Sequence, residues 1–444
     1  MGRGIRAVVL AALCAAVLAT PAEAGRGRKL TAAERDLEVE SFDVVWTTIR
    51  DKHYDPALGG LDWEAIGGEL RPRIERARTR AEARGVLRDL VGRLRQSHFQ
   101  IIPAEVLEDM AQEVGEGSAG GDAGIDARVV GGKALVTSVA KGSPAERAGV
   151  LPGWEILRIG KFRAARLERI ALEFEGRPHR ELVLADAVLA RLSGRIGERV
   201  TVRFRDGAGR PVRRDLVLAE TRGARYRFGH VSNLHVWIET KRLEGNVGYV
   251  AFNGFLDPAR VMPAFDEAMR SFLDAKGIVL DLRGNGGGMI PMAMGMAGWL
   301  IPEGDRYLGT LKLRETELKA IVSPRPETFA GPVAVLVDGL SVSCAEVLAG
   351  GLQDLGRARV FGTRTAGMVL GSSIEKLPSG DGFQYVFAGY VTSGGRKLEG
   401  AGVVPDVVAP PDRKALLAGG DPALDAASSW ILRHGAETGE KENR

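Results

Sequence analysis

Val333-Ala334-Val335-Leu336-Val337-Asp338-Gly339-Leu340-Ser341-Val342-Ser343-Cys344-Ala345-Glu346-Val347-Leu348 decides the fold. Its first five residues are apolar without alternation, the pattern of a strand covered on both faces, as in a parallel sheet. A short turn follows, and Cys344–Leu355 reads as a helix. Ser343 stands at this strand-to-helix turn. There its hydroxyl lies beside backbone N–H groups that no helical carbonyl satisfies, and the positive helix end favours negative charge nearby. A serine so placed is a candidate nucleophile. It is also a good N-cap, and these residues alone leave both readings open.

Outward from this stretch, strands and helices alternate. Val247–Phe252 reads as a strand, Pro258–Ala275 as a helix, Ile278–Leu282 as a buried strand, Met289–Leu300 as an apolar helix and Ala358–Phe361 as a strand. This alternation predicts an α/β core over 226–415. Gln384–Val391 is a later strand, and 416–444 supplies a terminal helix and a charged tail. Asp281-Leu282-Arg283-Gly284-Asn285-Gly286-Gly287-Gly288 closes the second strand with glycines, which let a backbone approach a ligand closely. Upstream, 31–112 reads as mostly helical, opened by Thr31 and Glu34 at capping-box spacing, with Phe42, Val45, Trp46 and Ile49 on one face. Ser97-His98 precedes a short extended stretch. A Gly-rich, acidic linker at 113–124 leads into short strands.

The chain has 444 residues, 45% hydrophobic and 27% charged, with a formal net charge of +4 from 61 basic and 57 acidic side chains. That is the composition of a globular protein of two or three domains, and the slight charge gives no reason to expect nucleic acid. Arg3 and Arg6, the apolar run Val8–Leu18 and the small-x-small site Ala22-Glu23-Ala24 predict a leader over 1–24 and export to a periplasmic or extracellular location. The membrane would then be met only in transit. Loss of the leader removes Cys14 and leaves Cys344 alone, so no intramolecular disulfide is expected. The six histidines are dispersed without ligand spacing, so neither a metal nor another cofactor is expected.

Gly142-Ser143-Pro144-Ala145-Glu146-Arg147-Ala148-Gly149-Val150 and Pro152-Gly153-Trp154-Glu155-Ile156-Leu157 resemble a PDZ domain, which would span 121–220 and sit inserted between the N-terminal helices and the core. The resemblance implies peptide binding by strand addition, with the loop at Gly124 and Ile125 as the candidate carboxylate-binding site. Ser343-x-x-Glu346, Leu348-Ala349-Gly350-Gly351, Gly362-x-x-Thr365-x-Gly367 and Val403-Val404-Pro405-Asp406-Val407-Val408 resemble the S41 peptidases, the C-terminal processing proteases and their tricorn-like relatives. This implies a ClpP/crotonase-like core and a serine endopeptidase acting on proteins or peptides.

The lysine that activates the serine of the processing proteases would fall at position 368, which is Met368. A thioether cannot serve as that base. The tricorn-like branch uses a histidine preceded by a serine, with a glutamate near the last core strand, and Ser97, His98 and Glu399 resemble these. In that reading His98 is the base for Ser343, Ser97 orients it and Glu399 polarises Ser97. The N–H groups of Cys344 and Gly288 would form the oxyanion hole. Cys344 itself reads as a buried packing residue, with a nucleophilic thiol as the minor alternative. Two other functions fit the same residues: a silent peptide-binding scaffold, and an esterase or amidase. The oligomeric state is open, a homo-oligomer included.

Overall fold

The computed structural model describes residues 28–106, 119–229 and 231–441. The expected leader and half of the expected linker lie outside the described residues, as do the side chains of 435–444.

A six-stranded sheet forms the core, in the order 238–243, 247–252, 277–281, 333–337, 359–362, 407–408. The first two strands are an antiparallel hairpin and every later pairing is parallel. Parallel neighbours need crossovers, and the helices Pro258–Ser271, Ile290–Ala297 and Cys344–Asp354 lie on them. The strands are apolar throughout because both faces are covered. Val250, Phe252, Ile278, Leu280, Val333, Val335 and Val337 face the crossover helices. Val247, Tyr249, Val279, Ala334 and Leu336 face Ala423, Ala427 and Ile431 of the last helix, Pro422–Lys441. Every residue from Cys344 to Leu352 is buried, all of them apolar except Glu346. Truncating Leu348 or Leu352 there would cost about 2–5 kcal/mol.

A second sheet pairs 100–102, 371–376, 382–392, 307–312 and 317–321. The N-terminal helices Ala32–Lys52, Trp63–Glu75 and Arg80–Gly92 pack on it through Phe42, Ile49, Leu87, Leu90, Phe383 and Tyr385. The pairing Ile101↔Phe383 fixes where the chain enters from Ser97-His98. Residues 125–217 form a separate antiparallel sheet with its own core, including Ala127, Val136, Ile156, Leu184, Val188, Val202 and Phe204. Its edge strand Ile125–Val130 lies beside the helix Arg180–Leu189.

Three expected elements are shorter than their sequence patterns, among them the apolar helix at 289–300, which runs Ile290–Ala297. The helix from Pro258 stops at Ser271. The expected strand at 403–408 pairs only through Val407–Val408, because the Val403 N–H is taken by Thr365 Oγ1 and the Val404 carbonyl by Gln353 Nε2.

Candidate active site

The turn after Val337 is built around Asp338. Its carboxylate accepts the N–H groups of Leu340 and Gly284, each at 3.0 Å. Ser341 Oγ donates to the Leu282 carbonyl at 2.7 Å, and the Val342 N–H to the Asn285 carbonyl at 3.0 Å. These bonds stitch the serine turn to the glycine run. Ser343 emerges at φ 56°, ψ −114°, a conformation that costs a non-glycine residue about 1–3 kcal/mol and marks functional turns.

Gly288 has φ 143°, and a Cβ there would lie 2.1 Å from the Phe255 carbonyl oxygen, so only glycine fits. Phe255 is bonded on either side of it, donating to Gly287 O and accepting from Met289 N–H. The N–H groups of Gly288 and Cys344 make no hydrogen bond to another described residue. They are free donors at the two places where oxyanion donors were expected.

Ser97, His98 and Glu399 come together although Glu399 is 302 positions from Ser97. Ser97 Oγ lies 2.7 Å from His98 Nδ1 and donates to Glu399 Oε2 at 3.1 Å. The Ser97 N–H donates to Glu399 Oε1 at 3.0 Å, and the Val369 N–H to Oε2 at 3.0 Å. His98 has φ 60°, a second strained residue. Its Nε2 is buried and bonds to no described residue, Ser343 Oγ included. His98 is 5% exposed and Ser343 9%. Burial pushes the imidazole pKa down to about 4, so it is neutral at pH 7. Burial raises the Glu399 pKa, opposed by the N–H groups of Ser97 and Val369. Burial also pushes the Cys344 thiol far up, leaving no thiolate.

Met368 provides backbone to the site: its carbonyl accepts the Ser343 N–H at 2.9 Å. Its side chain packs with Leu182, Ala185, Leu340, Val342 and Ala366. At the expected peptide-binding loop, the Gly124 N–H is engaged by the Asp122 carboxylate at 2.5 Å, while Ile125 is buried at the start of the edge strand. No group of three or more potential metal ligands occurs among the described residues.

Three residues at the site were not singled out from the sequence. Glu346, read only as part of a Ser-x-x-Glu pattern, is fully buried and accepts four hydrogen bonds. Its spacing from Ser343 was the available signal. Arg128 reaches Asp338 at 2.7 Å from the 125–217 sheet, and no local pattern announces a partner 210 positions away.

Comparison with known proteins agrees with this architecture. Residues 246–409 match peptidase family S41, and residues 39–92 match the tricorn protease C1 domain. A probable CtpA-like serine protease of Staphylococcus aureus is 27% identical over 306 residues, 68% of this chain and 55% of the relative, so the chain spans little more than half of that protein. The chloroplastic carboxyl-terminal-processing peptidase 3 of Arabidopsis thaliana is 27% identical over 391 residues, 86% of this chain and 70% of the relative. The structure of a photosystem II D1 C-terminal processing protease superposes with a TM-score of 0.57 at 23% identity, covering 89% of this chain and 99% of that one. Mature CPAF complexed with lactacystin gives 0.58 at 13% identity, covering 91% and 98%, a likeness of fold. Five of the six core strands, the serine turn and the glycine run lie inside the segment 246–409 that matches peptidase family S41.

Proposed function

We propose that this protein is an exported serine endopeptidase that cleaves protein or peptide substrates through an acyl-enzyme, with Ser343 as nucleophile and His98 as its base. One observation carries the reading: the hydrogen-bonded chain Glu399–Ser97–His98, which leaves His98 Nε2 as the one unpartnered nitrogen of the imidazole. With Glu399 ionised, the Ser97 hydroxyl donates to it. Ser97 Oγ then accepts from His98 Nδ1–H, and Nε2 keeps the lone pair that a base requires. Nε2 takes the Ser343 proton as Oγ attacks the scissile carbonyl, and returns it to the leaving amine. Water then repeats the sequence on the ester. The free N–H groups of Gly288 and Cys344 receive the oxyanion; one such donor is worth about 3 kcal/mol. Substrate binding closes the gap between Nε2 and Oγ, a contact often formed only in the complex.

The edge strand Ile125–Val130 beside Arg180–Leu189 supports a PDZ-like role for 121–220 in holding an extended peptide. The charged and apolar pattern of 1–24 supports export.

The shielding of Ser343 and the absent bond to His98 favour one rival, a silent scaffold of the same fold. Labelling with a fluorophosphonate separates the two. An active enzyme is labelled as wild type and not as Ser343→Ala. Absence of labelling, and of casein cleavage, from pH 5 to 9 refutes the peptidase.

A further inference from the structure

Glu346 enters neither the relay nor the oxyanion hole, yet its carboxylate accepts four hydrogen bonds. Its Oε2 accepts the Ser343 N–H at 3.0 Å and the Met368 N–H at 2.9 Å. Its Oε1 accepts the Gly367 N–H at 2.8 Å and Thr365 Oγ1 at 2.5 Å. Three of the four donors lie on one segment, Thr365–Val369, and the fourth is the nucleophile's own amide. That segment is tied at every residue. The Thr365 N–H donates to the Val403 carbonyl at 3.1 Å, the Ala366 N–H to the Ser341 carbonyl at 3.2 Å, and the Gly367 carbonyl accepts from Gly400 N–H at 2.9 Å. The next amide along, Val369 N–H, belongs to Glu399. Adjacent peptides therefore serve two buried carboxylates, one under the nucleophile and one at the end of the relay.

We propose that Glu346 is a positioning residue whose ionised carboxylate locks Thr365–Val369 as a bridge between the strained Ser343 turn and the Glu399–Ser97–His98 relay, setting the distance between nucleophile and base. This rests on the peptidase reading above. Only an ionised carboxylate accepts all four bonds: a protonated one must donate, either against an N–H or to Thr365 Oγ1, whose own proton then loses its acceptor. Burial raises the Glu346 pKa to about 7 against the pull of its four donors. Glu346 forms no ion pair among the described residues. The titratable groups on the segments around it are Cys344 and Asp354 on its own helix, Asp338 on the turn that leads into it, exposed Arg364 beside the bridge, Glu399 on the turn before Val403, and His98 across the site. Protonation of Glu346 as pH falls through 7 would release part of the bridge while His98 is still neutral.

The test follows fluorophosphonate acylation and peptide turnover from pH 4 to 9 in the full chain. Wild type, Glu346→Gln, Thr365→Val and Thr365→Ser are compared, with thermal melting as the check on folding. Wild type should show a rate step near pH 7 as well as a lower one from His98. Glu346→Gln should lose the step and lower kcat about a hundredfold with KM nearly unchanged, the expected cost of misplacing a reacting group by about 1 Å. Thr365→Val removes one donor and should move the step to higher pH, while Thr365→Ser keeps the hydroxyl and the wild-type profile. A wild-type profile without the step overturns the proposal, as does a step that stays in place in folded Thr365→Val, or folded Glu346→Gln acylating within about twofold of wild type. Should Glu346→Gln fail to fold, the Thr365 pair decides alone. A wild type that is never labelled refutes the peptidase reading itself, whereas a labelled wild type with an unmoved step refutes only the bridge.

Discussion

Glu399→Gln is the sharpest test of the relay, because the structure fixes what an amide must do there. Glu399 Oε1 accepts one N–H, from Ser97, while Oε2 accepts both the Ser97 hydroxyl and the Val369 N–H. Every partner is a donor, and an amide has one acceptor atom and one donor group. If the amide nitrogen takes the Oε2 position, it faces the Val369 N–H and can bond Ser97 only as a donor. The Ser97 proton then turns toward His98 Nδ1, which forces the imidazole hydrogen onto Nε2, where it cannot accept from Ser343. If the nitrogen takes the Oε1 position, the tautomer survives. The Ser97 N–H is then opposed, and the charge that stabilises an imidazolium is gone. Either arrangement leaves one buried donor unmatched, a stability cost of about 1–3 kcal/mol. That is a shift in melting temperature of a few degrees. Replacing the carboxylate of a directly bonded triad lowers kcat about 10⁴-fold. With a hydroxyl interposed, the loss here should be about 10²–10³. Fluorophosphonate acylation measured beside thermal melting separates the two effects. A folded Glu399→Gln enzyme that acylates within about threefold of wild type would remove Glu399 from the mechanism.

His98→Ala should abolish acylation and, because it empties a buried site and removes the bond to Ser97 Oγ, lower the melting temperature by a few degrees; retained activity in the folded variant would exclude His98 as the base. Because the folded His98 pKa is lowered to about 4, the base stays competent down to about pH 5, and acylation by Glu346→Gln should fall only as pH drops through 4. The same lowering drains stability as pH falls below about 6.5, where the unfolded chain takes up the proton and the folded one does not; denaturation midpoints in wild type and His98→Ala check this. Met368→Lys should give no gain in rate, since its side chain sits in the apolar cluster with Leu182 and Val342, and a large gain would revive the Ser–Lys arrangement. Arg128→Ala leaves the buried Asp338 uncompensated and should cost about 3–5 kcal/mol in urea denaturation; a loss under 1 kcal/mol would deny the pair its role at the turn.

The core was legible because its strands are buried on both faces, so Val247–Phe252, Ile278–Leu282 and Val333–Val337 appear as unbroken apolar runs. The strand-to-helix turn carried Ser343 with it. Glu399 and the Ser97-His98 pair were reachable only through resemblance, since their contact depends on the pairing of 100–102 with 382–392 and no local pattern encodes a pairing across that span. Arg128 and Asp338 escaped for the same reason: each reads as an ordinary surface charge until the 125–217 sheet docks. The over-long strand at 403–408 shows a different limit. Periodicity marks residues that can extend, whereas the side chains of Thr365 and Gln353 decide which of their amides and carbonyls are left for a neighbour.

These limits have a common physical origin, which also explains the composition of the site. Two strained residues, Ser343 and His98, are held by elements that meet only in the finished fold. Neither conformation is stable in an isolated peptide, so each needs bonds that arrive late. For Ser343 these are the Met368 carbonyl and the Glu346 carboxylate; for the segment at His98 they are the two oxygens of Glu399. Both carboxylates are buried and carry raised pKa values, which is unfavourable for stability alone. Apolar residues of similar size would fill the same space at lower desolvation cost, but they would accept no hydrogen bond from the strained backbone. Charge has been placed where the backbone must be held against its own preference, and the nucleophile, the base and their spacing depend on it.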